Sequence, residues 1–446
     1  MLAVIGGLGL RVLVPIIALA IHGDFAAFRF IDSESYLAPA RELLSGASFS
    51  THGHVELIRT PGYPLLLVPG LLFGQTELIT IALQVLLSGI TILAVYGVAK
   101  NIFDKEAAFF ALTLFAFEPL SIAYCSRLAS ETAFSCALAL MIYCLTRGMR
   151  DGSIARVSLA AVFGAAGAYI RPIGLYLIPI IAILVIAYGI VTRVPKLAVT
   201  GGVLAGVFAA CVVPWCVRNR ALTGYSGFSA ISDLNVYYYQ AGALLAKRSG
   251  LPFYESQRRL GLHSEDRYLE SHPGQERWSW PERYRYMRNA GFRVVADSWR
   301  EYVPVHLRGL LMIAAEPGSI ELSKILKLYP TDGGLLEATN DRGIPAAITR
   351  LWKYKFAFFA MVIFGLMLIA YWGFALIGAR IGFKQAPLMT IVIVASIAYL
   401  LFAAAGPVSD SRFRHPAMPL ICVLGGAGLS STIARTKRRR LVLAAM

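Results

Sequence analysis

Charged residues are scarce in this chain. Only 15% of its 446 residues are Asp, Glu, Lys or Arg, whereas 57% are apolar, and the mean hydropathy is +0.62. This composition excludes an ordinary soluble globular domain. Long apolar runs are instead typical of a helical protein that crosses a membrane several times. We therefore predict an all-α polytopic membrane protein.

Other common patterns are also missing. The six cysteines lie in or at the ends of apolar runs, with neither zinc-site spacing nor the framework of a disulfide-linked secreted domain. The sequence has no internal repeat and no low-complexity tract. Its net charge is +16. The basic residues flank apolar runs and form no single stripe, which argues against a nucleic-acid partner.

Ten apolar runs are predicted to cross the membrane, with the first retained as a helix because no small-residue cleavage site follows it. Alternate loops between them are short and basic, which places those loops and both termini in the cytoplasm. The run 61–74 is interrupted by Pro and Gly, so we interpret it as a short helix in the outer interface. The predicted spans are 2–21, 77–99, 106–124, 129–147, 157–170, 173–191, 198–217, 354–378, 387–405 and 417–434.

This topology divides the chain into three regions. Residues 1–217 form a transmembrane core that includes the first outer loop, 22–76. Residues 218–353 form an outer, mostly helical region with aromatic pieces that we expect to rest on the membrane surface. Residues 354–446 carry the last spans and a basic cytoplasmic tail.

Ionisable side chains from distant turns gather on the predicted outer side. Asp32 and Glu34 follow the first span, and the stretch "DSRFRH" (410–415) precedes the last one. Ionisable groups at membrane depth are costly and are usually functional. Three cation-capable residues within four positions, beside an apolar span, suit a phosphate group in a cleft of low dielectric.

Carboxylates and arginines at an outer membrane interface indicate an amphiphilic phosphorylated substrate, such as a polyprenyl-phosphate sugar. Transfer of the sugar needs one general base to take a proton from the acceptor hydroxyl. It also needs cations to stabilise the charge that grows on the departing phosphate. A hydrolytic glycosidase would instead need two carboxyl groups flanking the bond.

Two features allow other interpretations. His52 and His54 could hold a metal ion beside Asp32 and Glu34, although histidines in a Gly/Ser-rich loop are more often ordinary loop residues. Glu131 opens a predicted span, where the helix dipole alone would favour an acid. We expect no required cofactor and no metal ligand, with a divalent metal ion as the less favoured alternative.

Six short motifs follow one another along the chain: "IDSESYLAPARELLSG" (31–46), "RTPGYPLLL" (59–67), "EPLSIAYCSRLASETAF" (118–134), "AYIRPIGLYLIP" (168–179), "PWCVRNRALTG" (214–224) and "SRFRHPAMPLI" (411–421). In this order they resemble the motifs of the GT-C fold glycosyltransferases in the superfamily of dolichyl-phosphate-mannose protein mannosyltransferases and lipid A aminoarabinose transferases. The resemblance implies a bacterial enzyme with about ten transmembrane helices and outer juxtamembrane helices.

The resemblance implies that Asp32 is the catalytic base. Two departures from the family pattern matter. Ser33 stands where many members carry a second acid, and Arg59-Thr60-Pro61-Gly62 replaces the acid–Lys pair of the aminoarabinose branch. Together with the ionisable residues on the predicted outer side, the resemblance gives these candidates for substrate binding: Glu34, Tyr36, Arg59, Glu131, Arg171, Arg412, Arg414 and His415.

The predicted function is that of an inverting glycosyltransferase in the cell inner membrane, with its site facing the periplasm or exterior. It would move a sugar from a polyprenyl-phosphate donor to an envelope glycan, lipid or protein. Two alternatives remain. One is a transporter or flippase for a lipid-linked or anionic solute, although such proteins usually show paired halves, and no repeat is present. The other is a structural lipid-binding subunit, for which Asp32 would be dispensable.

Overall fold

The computed structural model describes residues 2–46, 48–330, 343, 345, 348, 349 and 352–444. This part of the chain is predominantly helical. The only strands among these residues are Ser50–Thr51 and His54–Val55, which pair as a small antiparallel hairpin that the sequence did not predict. The all-α polytopic class is therefore confirmed.

Eight helices of the described ranges are long and apolar enough to cross a membrane, and each overlaps one of the predicted spans. They are Leu2–His22, Thr76–Ile102, Glu131–Asp151, Pro172–Val191, Pro195–Thr223, Lys355–Gln385, Pro387–Ala404 and Ser411–Lys437. The first turns of Pro172–Val191 and Ser411–Lys437 are 3₁₀-helical, over Pro172–Tyr176 and Ser411–Ala417. The helix that opens as Ser411–Ala417 continues as Met418–Ala444.

The other two predicted spans are shorter helices. The run 157–170 lies in Ile154–Ile170, whose 17 residues extend about 25 Å, slightly less than the ~30 Å hydrocarbon core. The run 106–124 is divided into Lys105–Ala116 and Pro119–Tyr124. The division has a local cause, because the Glu118 carboxylate accepts hydrogen bonds from the backbone N–H groups of Leu120 (3.1 Å) and Ser121 (2.6 Å) and starts a new helix there.

Arg11 is a charge inside the first span, whereas the sequence pattern had emphasised charges at turns. Its side chain is completely buried, and it donates to the Ser88 hydroxyl (2.7 Å) and the Ser121 hydroxyl (2.9 Å). It also donates to the carbonyl oxygens of Phe115 (3.0 Å) and Ala116 (2.5 Å). These carbonyls belong to the open end of Lys105–Ala116, so Arg11 satisfies a helix terminus that water cannot reach.

Two short helices cover the core beside the helices Thr76–Ile102 and Ile154–Ile170. Ser33–Leu44 and Gly62–Leu72 pack on each other through Tyr36 and Tyr63, whose ring centroids lie 4.8 Å apart. Gly62–Leu72 lies within the run 61–74 predicted as an interface helix. Gly62 is required at this contact, because a Cβ atom there would lie 2.6 Å from the backbone of Tyr169.

The region after residue 223 is built from short helices around a core rich in tyrosine. Tyr225, Tyr237, Tyr238, Tyr268 and Tyr284 are its largest buried side chains. The π-helix Asn235–Ala241 supplies two of these rings. Between residues 224 and 330 the α-helices are Ile231–Leu234, Gly242–Ser249, Phe253–Arg259, Glu265–Ser271, Trp280–Asp297, Trp299–Ala315 and Ser319–Ile325. Pro273–Gln275 is a short 3₁₀ turn of the same region, and Phe25–Phe28 is another after the first span.

Candidate functional site

Five charged side chains from distant parts of the chain meet at one end of the helical core. Each lies at or beside the end of a helix, where the backbone turns. We call them the ionic cluster: Asp32, Arg59, Glu131, Arg171 and Arg412.

The Asp32 carboxylate is held by two arginines. Its Oδ1 atom accepts a hydrogen bond from Arg59 Nη2 at 2.8 Å, and its Oδ2 atom accepts one from Arg412 Nη2 at 2.6 Å. Burial alone would raise the pKa of Asp32. The positive charges of Arg412 and Arg59 outweigh that effect and hold the pKa of this carboxyl group well below its usual value. Asp32 is therefore ionised while both arginines contact it.

Glu131 forms the buried side of the cluster. Its side chain is 0% exposed, and its Oε1 atom accepts from Arg171 Nη1 at 2.5 Å and from Arg412 Nε. Its Oε2 atom has no hydrogen-bond partner among the described residues. Arg412 therefore bridges the two carboxylates, with Asp32 nearer to solvent and Glu131 inside.

Aromatic rings and hydroxyls fix the arginines. The Arg59 guanidinium lies 4.4 Å from the centroid of the Tyr36 ring and donates to the Tyr36 hydroxyl at 3.1 Å. That hydroxyl also contacts Ser130 Oγ at 3.0 Å. Arg412 lies 4.5 Å from the centroid of the Phe30 ring. Such contacts hold a guanidinium plane in place and add cation–π attraction.

The cluster has more positive than negative charge. Three arginines face two carboxylates, and Arg59 Nε is buried without a partner among the described residues. The Asp32 side chain is 27% exposed, so the cluster opens toward solvent on that side. A preorganised set of arginines with one uncompensated charge favours binding of a phosphate or carboxylate.

Glu34, one of the residues predicted to bind substrate, lies outside the ionic cluster. It pairs with Arg41 on the surface, and its side chain is 64% exposed. Asp32 stands just before the helix Ser33–Leu44, whereas Glu34 lies in its first turn. Residues two apart on a helix point about 200° away from each other, which separates the two acids.

Arg414 and His415, which were predicted to lie near the lipid phosphate, are also outside the cluster. Arg414 donates to the Ile313 carbonyl oxygen at 2.5 Å and lies in the electrostatic range of Glu118 and Glu316. His415 is buried, with its Nδ1 atom 3.3 Å from Ser135 Oγ. Successive residues of a 3₁₀-helix are about 120° apart, so Arg412 and Arg414 cannot face the same side.

His52 and His54 are exposed residues of the small hairpin. His52 adopts a left-handed backbone conformation with φ of 51°, as the tight turn requires. Among the residues that the structure describes, no group of three or more His, Cys, Asp or Glu side chains is suited to a metal ion.

Sequence reasoning missed three residues that surround the cluster. Ser130 contacts both Tyr36 and Arg171, Phe30 lies under Arg412, and Tyr239 lies near Asp32 and Arg59. Burial, followed by the negative charge of Asp32, raises the pKa of Tyr239. Ser130 lies inside the motif 118–134 and Phe30 directly precedes the motif 31–46, but no sequence pattern distinguished Tyr239 from the tyrosines beside it.

Asp410 gives a pH-dependent prediction. Burial and the nearby Glu316 raise the pKa of Asp410 to about 7, although Arg412 opposes this. A carboxyl group whose pKa is raised on folding stabilises the protein most at low pH, and this contribution is lost as pH rises from about 4 to about 7. We therefore expect the thermal midpoint in detergent to fall over this range, by an amount on the order of 2–4 °C.

The Asp410→Asn variant should show a smaller fall, because its amide keeps the shape of the side chain and does not ionise. Asp104→Asn is the control. The Asp104 side chain caps a helix, with its Oδ1 atom 2.7 Å from Ala107 N, but this residue is exposed. An equal fall of the midpoint in the parent and in Asp410→Asn would contradict this assignment.

Comparison with known proteins matches part of the chain to one family model and nearly the whole chain to one fold. Residues 64–216 match the model of the family described as dolichyl-phosphate-mannose-protein mannosyltransferase. No curated protein matches the chain. The apo oligosaccharyltransferase of Archaeoglobus fulgidus matches with a TM-score of 0.50 at 15% identity, over 98% of this chain and 52% of that one.

Two further solved structures are similar. The Archaeoglobus fulgidus oligosaccharyltransferase AglB in complex with an inhibitory peptide and a dolichol-phosphate has a TM-score of 0.49 at 15% identity, over 99% of this chain and 52% of that one. ArnT from Cupriavidus metallidurans bound to undecaprenyl phosphate has a TM-score of 0.37 at 15% identity, over 95% of this chain and 78% of that one.

The predicted resemblance is confirmed at the level of fold. The chain has a GT-C fold and is related to the protein mannosyltransferases through residues 64–216. It spans about half the length of the archaeal oligosaccharyltransferases that it matches.

Proposed function

We propose that the protein is a membrane glycosyltransferase that moves a sugar from a polyprenyl-phosphate donor to a hydroxyl group of an envelope acceptor. The observation that carries this proposal is the ionic cluster, in which Arg412 and Arg59 share the Asp32 carboxylate at a solvent-facing opening. Dolichyl-phosphate-mannose, after which the matching family is named, is a donor of this chemical class. Apolar helices around the cluster would accommodate a prenyl chain.

Asp32 acts as the general base in this proposal. It takes the proton of the acceptor hydroxyl while the hydroxyl oxygen forms a bond to the anomeric carbon of the sugar. The bond from that carbon to the phosphate oxygen breaks, and the polyprenyl phosphate leaves with the electron pair. Attack from the face opposite the phosphate inverts the anomeric configuration. Arg412 and Arg59 stabilise the charge that grows on the leaving phosphate.

The same arginines would couple donor binding to activation of the base. Without donor, both of them hold the pKa of Asp32 low, which makes it a weak base. A donor phosphate that takes over part of their hydrogen bonds would weaken their hold on Asp32 and raise its basicity. The buried Glu131 pairs with both Arg171 and Arg412 and would hold Arg412 in position.

The proposed site faces the periplasm or exterior, because the loops on the other side of the spans are basic. We expect single cysteines at Lys100, Arg150 and Lys196 to react with an impermeant thiol reagent only after the membrane is opened. Cysteines at His52 and His263 should react in intact cells. All five positions are exposed. The assay uses a background without the six native cysteines, and labelling of position 150 from outside would contradict this orientation.

The reaction is tested by comparing the sugar-labelled envelope products of cells with and without active protein. Cells that express the parent or the Asp32→Asn variant at equal levels are fed radiolabelled sugars, and the labelled glycans, lipids and proteins are compared. The proposal predicts a labelled envelope product that only the parent makes, together with a labelled polyprenyl-phosphate sugar that accumulates in the variant. Identical profiles would contradict it.

A further inference from the structure

We propose that a cavity beside the helix Trp280–Asp297 is a binding subsite for an acidic sugar unit of a glycan acceptor. The cavity has a volume of about 400 Å³, within the usual range of small-molecule sites. This inference rests on the proposed function, since it names the class of acceptor. The residues that carry the argument are Trp278, Glu282, Arg285, Tyr286, Asn289 and Arg293.

One face of the helix forms the cavity wall. Glu282, Tyr286, Asn289 and Arg293 follow one another at intervals of three or four residues, which places them on the same side of the helix. The opposite side, with Tyr284 and Met287, is buried in the tyrosine-rich core. The wall is therefore anchored by the fold, which favours a preformed site.

Two aromatic rings line the cavity, and the Trp278 ring presents a face of the size of a sugar ring. The Trp278 ring is 38% exposed and lies edge-on to Tyr286, with the centroids 6.0 Å apart and the planes at 74°. Tyr286 is held from behind by His272, whose ring centroid lies 5.3 Å away. An exposed aromatic face can pack against the apolar C–H face of a pyranose, while polar groups at the edge bond its hydroxyls.

The charges at the cavity select an anion. The Glu282 carboxylate already accepts hydrogen bonds from the backbone N–H (2.8 Å) and the hydroxyl (2.7 Å) of Ser279, so it is committed to the start of its helix. Arg285 and Arg293 are exposed, and neither lies within ion-pair distance of a carboxylate among the described residues, although Glu282 is in the electrostatic range of Arg285. Two guanidinium groups beside an aromatic ring are suited to the carboxylate of a uronic acid.

The π-helix Asn235–Ala241 connects this cavity to the ionic cluster. Tyr237 packs against Tyr286, with ring centroids 6.4 Å apart, and its hydroxyl lies 3.1 Å from His272 Nε2. Tyr239 is two residues further on, no more than about 7 Å along the backbone, and lies near Asp32. The cavity and the ionic cluster therefore both border the π-helix Asn235–Ala241.

Binding of defined oligosaccharides to the purified full-length protein tests the subsite. Hexagalacturonate supplies pyranose rings with carboxylates, maltohexaose supplies the rings without charge, and tripolyphosphate supplies charge without rings. We expect hexagalacturonate to bind at least about tenfold more tightly than maltohexaose. We also expect it to change the fluorescence of Trp278, which the Trp278→Phe variant would identify, and to resist displacement by tripolyphosphate.

Trp278→Ala and the double variant Arg285→Ala/Arg293→Ala should each weaken hexagalacturonate binding by about tenfold or more. The matched control is Trp299→Ala/Arg300→Ala, which removes an exposed Trp–Arg pair on the next helix, where the guanidinium lies 5.4 Å from the ring centroid. The control should bind like the parent. Trp278→Phe keeps an aromatic ring, and Arg285→Lys keeps the positive charge. Each should bind hexagalacturonate more tightly than the Ala variant that removes the same group. This comparison separates loss of the site from misfolding.

Three results would overturn the subsite: equal binding by parent and cavity variants, equal loss in the control, or full displacement by tripolyphosphate. Failure of the subsite is distinguishable from failure of the proposed function, because the binding assay needs no donor and no turnover. If the parent transfers sugar to a small acceptor and the cavity variants do so equally well, the proposed function stands whatever the binding result.

Discussion

The Asp32→Asn variant should transfer sugar about 10²–10⁴-fold more slowly than the parent, with donor affinity within about threefold. The amide keeps the shape of the carboxylate and removes its basicity, so the acceptor hydroxyl loses the group that takes its proton. Arg59 or Arg412, which both donate to the carboxylate in the parent, can still donate to the amide oxygen. The measurement is turnover and donor affinity in purified protein reconstituted into lipid.

Glu34→Gln is the matched control for this prediction. It makes the same chemical change two residues away, on an exposed side chain that pairs with Arg41. Its turnover should remain within about twofold of the parent, as is usual for a surface site. Near-parental turnover in Asp32→Asn would remove the base assignment, and a larger loss in Glu34→Gln would transfer that role to Glu34.

The Arg412→Ala variant should lose both stability and donor binding. Arg412 contacts Asp32 and Glu131 at once, and Glu131 is fully buried. Removing one partner of a buried ion pair costs about 3–5 kcal/mol, because the other charge stays buried. Loss of charge-assisted hydrogen bonds to a donor phosphate would weaken binding by roughly 1.5–3 kcal/mol. Thermal unfolding and donor titration measure the two effects separately.

Arg412→Lys keeps the charge and is expected to fold, but it lacks the planar fork that reaches both carboxylates. Its donor affinity should lie between those of the parent and Arg412→Ala. Arg41→Ala, which removes an exposed partner of Glu34, is the control and should change neither quantity appreciably. Parental donor affinity in both Arg412 variants would exclude this arginine from the phosphate site.

The sequence predicted that the residues of the ionic cluster would lie on one side of the membrane, because they stand at turns on one side of the spans. Asp32, Arg59, Glu131, Arg171 and Arg412 lie far apart in the chain, yet alternation of the spans brings those turns to the same end of the core. The apolar runs predicted eight helices that the structure describes as long enough to span. Composition and loop charge are averages over many residues. Predictions based on them therefore stay correct even where the structure of a few residues is predicted wrongly.

Details that depend on the direction of one side chain could not be predicted in this way. Glu34 and Arg414 are each two residues from a member of the cluster, and the helical turn between them decides which side they face. The break before Pro119 depends on the hydrogen bonds of Glu118, and the burial of Arg11 depends on carbonyl groups of another helix. Such features arise from tertiary contacts that a pattern of apolar residues does not contain.

The fate of a donor in sealed proteoliposomes tests the central claim most directly. The vesicles contain the parent protein and a panel of undecaprenyl-phosphate sugars labelled in the sugar, and acceptor glycan is supplied outside. The account predicts that labelled acceptor and free undecaprenyl phosphate appear in equal amounts, and that neither appears with Asp32→Asn. Movement of the intact lipid-linked sugar across the bilayer, with no labelled acceptor and equal rates in parent and variant, would contradict it and identify a transporter instead.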